Sequence, residues 1–170
     1  MTRRVRTGLA VAAVAALAVG LAPSAAADDG NRQHYEGAPT EATIGTPFCD
    51  ATGQCLVPIQ FRNTYTGDVV GTEISAGQIV ATGPFDGPGS FMSVLTATVA
   101  GCPGGGSVSL RWTVQFGFTT EGRNTGTYQV VPGSGTGGLA TIKGGGSFVT
   151  TVLPDGSTTS EFTAKFRCPH

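Results

Sequence analysis

The chain has 170 residues, with 10 Lys and Arg against 11 Asp and Glu, and its 27 glycines exceed the ordinary share of that residue about twofold. Charged residues make up only 12% of the chain, about half the usual fraction, and the net charge is −1. Such a balance leaves no basic surface for a nucleic-acid backbone or an anionic membrane.

The chain opens with a basic stretch, "MTRRVRTG", followed by an apolar run from Leu9 to Ala22 and the small residues before Asp28. This is the layout of a secretory signal peptide cleaved after Ala27, since the apolar run is shorter than the roughly 20 residues a membrane span requires. Removing residues 1–27 takes Arg3, Arg4 and Arg6 from the 10 basic residues, leaving 7 against 11 acidic ones and a balance of −4. The 143 residues that remain suit one domain. Secretion, no membrane partner and no nucleic-acid partner are the expectations. Residues 28–40, "DDGNRQHYEGAPT", lack apolar periodicity and are read as a flexible tail, with the domain spanning 41–170.

From there the apolar residues recur with period two. The alternation predicts about eight strands, near 41–48, 55–63, 69–82, 90–101, 107–118, 125–131, 146–153 and 158–167. In "SVSLRWTVQFGF", Val108, Leu110, Trp112, Val114, Phe116 and Phe118 share one face and Arg111 falls on the other. In "SFMSVLTATV", Phe91, Leu95, Ala97 and Val99 fall together, and "EFTAKFRC" alternates likewise through Phe162, Ala164, Phe166 and Cys168, with Lys165 opposite. Clusters such as "DATGQ", "CPGGG" and "PDGS" separate the runs and supply turns. The pattern predicts an all-β domain, a single antiparallel closed barrel of about eight strands, because closure removes the unpaired edges that so few charges could protect. The alternative is an immunoglobulin-like β-sandwich, for which Cys102, Trp112 and Cys168 offer a loose spacing.

The run "VVPGSGTGG" contains G-x-G-x-x-G after a strand, the lettering of a dinucleotide loop. No helix can follow it, since only "LATIK" separates Gly138 from the glycines before Ser147, so the motif is read as a tight backbone crossing and no cofactor is expected. The two histidines, His34 and His170, lie in the tail and at the last position, which argues against nucleophilic and metal chemistry. Glu73 paired with Glu121, or Tyr65 and Tyr128 as proton donors, are the conceivable acid–base groups. Their plainer readings are a solvated strand face for Glu73, a turn for Glu121 and wall packing for the tyrosines. No catalytic residue is assigned. Four cysteines in a secreted chain predict two disulfides. Of three possible pairings the expected one is Cys49–Cys55, bracketing "DATGQ", with Cys102–Cys168.

The segment Gly126–Phe148, "GTYQVVPGSGTGGLATIKGGGSF", resembles a signature of bacterial proteins of unknown function classed with the allene oxide cyclase-like, or dirigent-like, β-barrels. Val130 to Phe148 carry the pattern of strand, glycine turn, short helical turn and strand, and the resemblance extends over about residues 107–167. It implies a barrel fold. Within that fold three roles are open: a secreted barrel binding an apolar small molecule, an extracellular structural or interaction module with a filled core, and a cyclase-like enzyme. The first is favoured, with Leu110, Trp112, Val114, Phe116, Phe162 and Phe166 as the residues expected to line the ligand.

Overall fold

The computed structural model describes residues 32–81, 86–117, 122–153 and 157–169. Nine strands form: β1 (Gln33–Ile44), β2 (Phe48–Cys49), β3 (Cys55–Gly67), β4 (Val69–Ala81), β5 (Asp86–Val99), β6 (Gly106–Gly117), β7 (Arg123–Val130), β8 (Lys143–Val152) and β9 (Thr158–Arg167). Each pairs antiparallel with its neighbours in chain order from β3 to β9, and β1 bonds to both β9 and β3. That double pairing closes an eight-stranded barrel and rules out the sandwich. The two-residue β2 is an appendage on β3, pairing Phe48 with Leu56 and Cys49 with Cys55.

Alternation decides which residues face inward. On β6, Val108, Leu110, Trp112, Val114 and Phe116 are buried, and on β9 Ser160, Phe162, Ala164 and Phe166. Arg111 and Lys165 face solvent. Phe118 lies outside the described residues, as do the signal-peptide stretch, Glu121 and His170.

The expected flexible tail at 28–40 is corrected from Gln33 onward, where the closing strand begins, and residues 28–31 lie outside the described residues. Its first half pairs with β9, Tyr35 opposite Phe162, and from Tyr35 onward it pairs with β3, with a register shift between Pro39 and Glu41. Gln33 and Tyr35 are buried. The Gln33 amide replaces the backbone partners missing at the strand's start: it accepts from Phe166 N at 2.8 Å and donates to Phe166 O at 3.2 Å and Ala100 O at 3.3 Å. Tertiary pairing thus recruits a stretch too polar to announce itself as a strand.

One barrel end is shut. At this end β7 stops opposite Leu110, and the segment after it runs on beside β6 as an irregular edge. Val131 N, Thr136 N and Gly138 N donate to the carbonyls of Ser109, Ser107 and Gly105 at 2.9, 2.8 and 2.9 Å. The glycines permit this approach: a Cβ on Gly138 would lie 2.4 Å from Gly104 backbone atoms, and one on Gly106 would lie 1.9 Å from Thr136 O. A 3-10 turn at Gly137–Leu139 then drives Leu139, 0% exposed, into the core, with Ile142 behind it. The glycine-rich motif is therefore the barrel's plug.

Disulfides Cys49–Cys55 and Cys102–Cys168 staple the structure. The second joins the β5–β6 connection to the end of β9, 66 residues away, at the plugged end. In the chain-entropy account its loop contributes about 4 kcal/mol and the short Cys49–Cys55 loop about 2. Denaturant unfolding of the double variants C102S/C168S and C49S/C55S should show losses in that order. Equal losses would contradict the loop-length argument.

Candidate functional site

The core does not fill the barrel. Toward the end opposite the plug a cavity of about 120 Å³ remains, walled by Phe61, Tyr65, Phe91, Trp112, Val114, Phe116, Phe148 and Phe162, with Asn63, Glu73, Ser75, Asn124 and Ser160 as its polar groups. Exposed Pro39 and half-exposed Thr150 and Thr158 also border it, so it reaches the surface at that end.

Cross-strand register assembles the rings. Phe91 on β5 pairs with Trp112 on β6, Trp112 with Tyr128 on β7, and Phe148 on β8 with Phe162 on β9. They meet in edge-on and tilted contacts: Trp112 with Phe148 at 5.6 Å, Tyr65 with Phe162 at 5.1 Å, Phe91 with Phe116 at 5.8 Å. Such geometries place the positive edge of one ring on the negative face of the next. Tyr35 stacks on Phe162 at 4.9 Å, closing the circuit through β1.

Of the six residues expected to line a ligand, Trp112, Val114, Phe116 and Phe162 border this cavity. Leu110 and Phe166 do not. They are buried at 1% and 2% exposure, toward the plugged end, where close packing leaves no space.

Glu73 departs most from the sequence reading. It is 2% exposed, inside the barrel, and the solvated-face reading is corrected. Strand β4 presents Val69, Gly71, Glu73, Ser75, Gly77 and Ile79 inward, while Val70 and Ile74 face out at 53% and 43% exposure. The register sets Glu73 opposite Asn63 on β3 and Leu95 on β5. Glu73 Oε2 accepts from Asn63 Nδ2 at 3.0 Å and from the Tyr65 hydroxyl. Glu73 Oε1 is buried and has no hydrogen-bond partner among the described residues. Nearby, Trp112 Nε1 donates to Ser93 Oγ at 2.8 Å.

Burial pushes the Glu73 carboxyl above its ordinary value, against the opposing pull of Ser93, Tyr65, Asn63 and Trp112, whose donor groups favour the charged form. Burial likewise raises Tyr35 and Tyr65, the second further raised by Glu73. Both remain neutral phenols. Tyr35 donates to Tyr128 Oη at 2.7 Å, and Tyr128 donates to Thr163 O at 3.2 Å, which satisfies both hydroxyls inside the wall. The tyrosines thus do pack as wall residues, with Tyr65 holding the carboxyl as well. Glu121, the conceived partner of Glu73, lies outside the described residues.

Closed, plugged at one end and hollow at the other, the protein is a small antiparallel β-barrel with an internal aromatic cavity. A family described as a protein of unknown function, DUF3224, matches residues 38–163, and the chain belongs to it. It is similar to a DUF3224 protein of unknown function from Shewanella oneidensis MR-1, with 16% identity, a TM-score of 0.53, and coverage of 80% of this chain and 95% of that one. That likeness is one of fold. No curated protein matches the chain.

Because the folded state raises the Glu73 carboxyl, it binds the proton more tightly than the unfolded chain does. Glu73 therefore favours the fold below the ordinary carboxyl value of about 4.3, and this advantage is lost as pH rises through the raised folded value. E73Q keeps the shape and removes the titration. From about pH 4 upward its stability in denaturant unfolding should improve relative to the native protein as pH rises through the raised folded value. A difference that does not vary with pH would refute the assignment.

Proposed function

We propose that this protein is an extracellular binding protein that takes a small apolar molecule into the open half of its barrel. The observation that carries the reading is the cavity itself. Interiors normally pack to the density of organic crystals, and unfilled apolar space costs stability that further side chains could have recovered. Here seven aromatic rings surround the space without occupying it, and a few polar groups converge on it. This combination is the usual make-up of a small-molecule site. Its volume approaches that of an engineered apolar cavity of about 150 Å³ that admits benzene. The resemblance of Val130–Phe148 to the allene oxide cyclase-like barrels supports the same reading by analogy of fold, which bears on architecture and not on chemistry.

Two disulfides accord with an oxidising compartment, and the N-terminal pattern with export. The protein recovered from culture medium should begin at Asp28. Recovery only from the cell interior, with residues 1–27 retained, would refute export.

Trp112 is the only tryptophan, so its emission reports the cavity without ambiguity. Buried at 6% exposure, it should emit in the blue and resist iodide quenching, and benzene should perturb the emission saturably. V114F fills the cavity and should abolish that response. L110A, at the plugged end, should lose about 2–5 kcal/mol of stability yet still respond. No saturable response in the native protein would overturn the binding reading.

A further inference from the structure

Among the described residues that border the cavity, Glu73 is the one formally charged side chain, and none is Lys, Arg or His. The hydrogen bonds from Asn63 and Tyr65 arrive at the same oxygen and orient the group, Oε1 has no hydrogen-bond partner among the described residues, and the donor groups of Ser93 and Trp112 also favour the charged form. An unpaired carboxylate in apolar surroundings is costly, and a buried acceptor left unsatisfied adds to the cost. Around it stand Tyr65, Phe91, Trp112, Phe116 and Phe162, whose ring faces carry partial negative charge.

From this arrangement we infer that the cavity selects a small organic cation, a protonated amine with about one ring of apolar body, whose charge pairs with the Glu73 carboxylate at the cavity wall while its carbons contact the rings. The inference deepens the binding reading above and rests on it. A neutral hydrocarbon would fill the space and leave the carboxylate's charge uncompensated. A carboxylic acid would set two like charges together, which is repulsive at such range. An ammonium supplies the missing charge, and aromatic faces attract it in addition. The size limit follows from the volume of about 120 Å³.

The titratable groups facing Glu73 from neighbouring strands are Tyr35, Tyr65 and Tyr128, all held neutral by burial. A loss of amine binding as pH falls therefore reports protonation of Glu73.

The test compares benzylamine, benzyl alcohol and toluene by Trp112 emission, in the native protein and in E73Q. At neutral pH the native protein should bind benzylamine at least tenfold more tightly than toluene, with benzyl alcohol close to toluene. E73Q should bring benzylamine down to the toluene level and leave toluene unchanged. Should E73Q fail to fold, the native protein decides alone. Its preference for benzylamine should fall as pH is lowered through the carboxyl titration, with toluene binding constant. Equal affinities for amine and alcohol, a preference that survives in E73Q, or a preference independent of acid pH would overturn the cation reading while leaving a cavity that binds apolar molecules. Failure of all three probes would overturn both.

Discussion

Everything in this structure depends on the closure of the sheet by β1, whose early residues pair with β9 and whose later residues pair with β3. Closure gives each barrel strand a neighbour on both sides, and among the described residues the edges left are the short appendage β2 and the later half of β1, Ala38–Ile44, which pairs with β3 alone. It also sorts every side chain by parity. With period two, one set must face a common interior and the other must face out, whatever their polarity. An eight-stranded ring encloses a volume that side chains can just fill, and whether they do is a matter of residue choice at each level.

The two ends use that volume differently. At one, valines, leucines and Leu139 from the glycine-rich crossing fill the lumen, and Gln33 and the Cys102–Cys168 bond tie strand ends together. At the other, large rings stand against the wall and leave space between them. The rigid half supports the hollow half. Binding groups held by packed strands keep their geometry better than groups on loops.

Glu73 is the place where stability is given up. Its burial is opposed by desolvation and only partly offset by Asn63, Tyr65 and the donors near it, a pattern common at sites where function requires a perturbed group. Structural roles for the carboxyl would be met as well by a neutral amide of the same shape.

Much of the fold was legible from residue order, because alternation on 107–118 and 158–167 is unbroken and turn clusters mark the strand ends. The cysteine pairing was legible from their spacing around "DATGQ", and the tight glycine crossing from the lack of any helix after "GSGTGG", though not that it plugs the barrel. Two things were not. The strand at Gln33 carries almost no apolar signal, and it is ordered by what it pairs with. Strand β4 carries a misleading signal, with Val70 and Ile74 apolar but outward and Glu73 polar but inward. Local hydrophobicity assigns that strand the wrong face, and only the register against Asn63 on β3 and Leu95 on β5 corrects it. Period, turns and cysteines thus determined by themselves an all-β antiparallel domain, and that its sheet closes into a barrel was decided by the pairing of β1 with both β9 and β3. Which polar group it would enclose was decided by the tertiary pairing, since a shift of one residue exchanges the two faces of a strand.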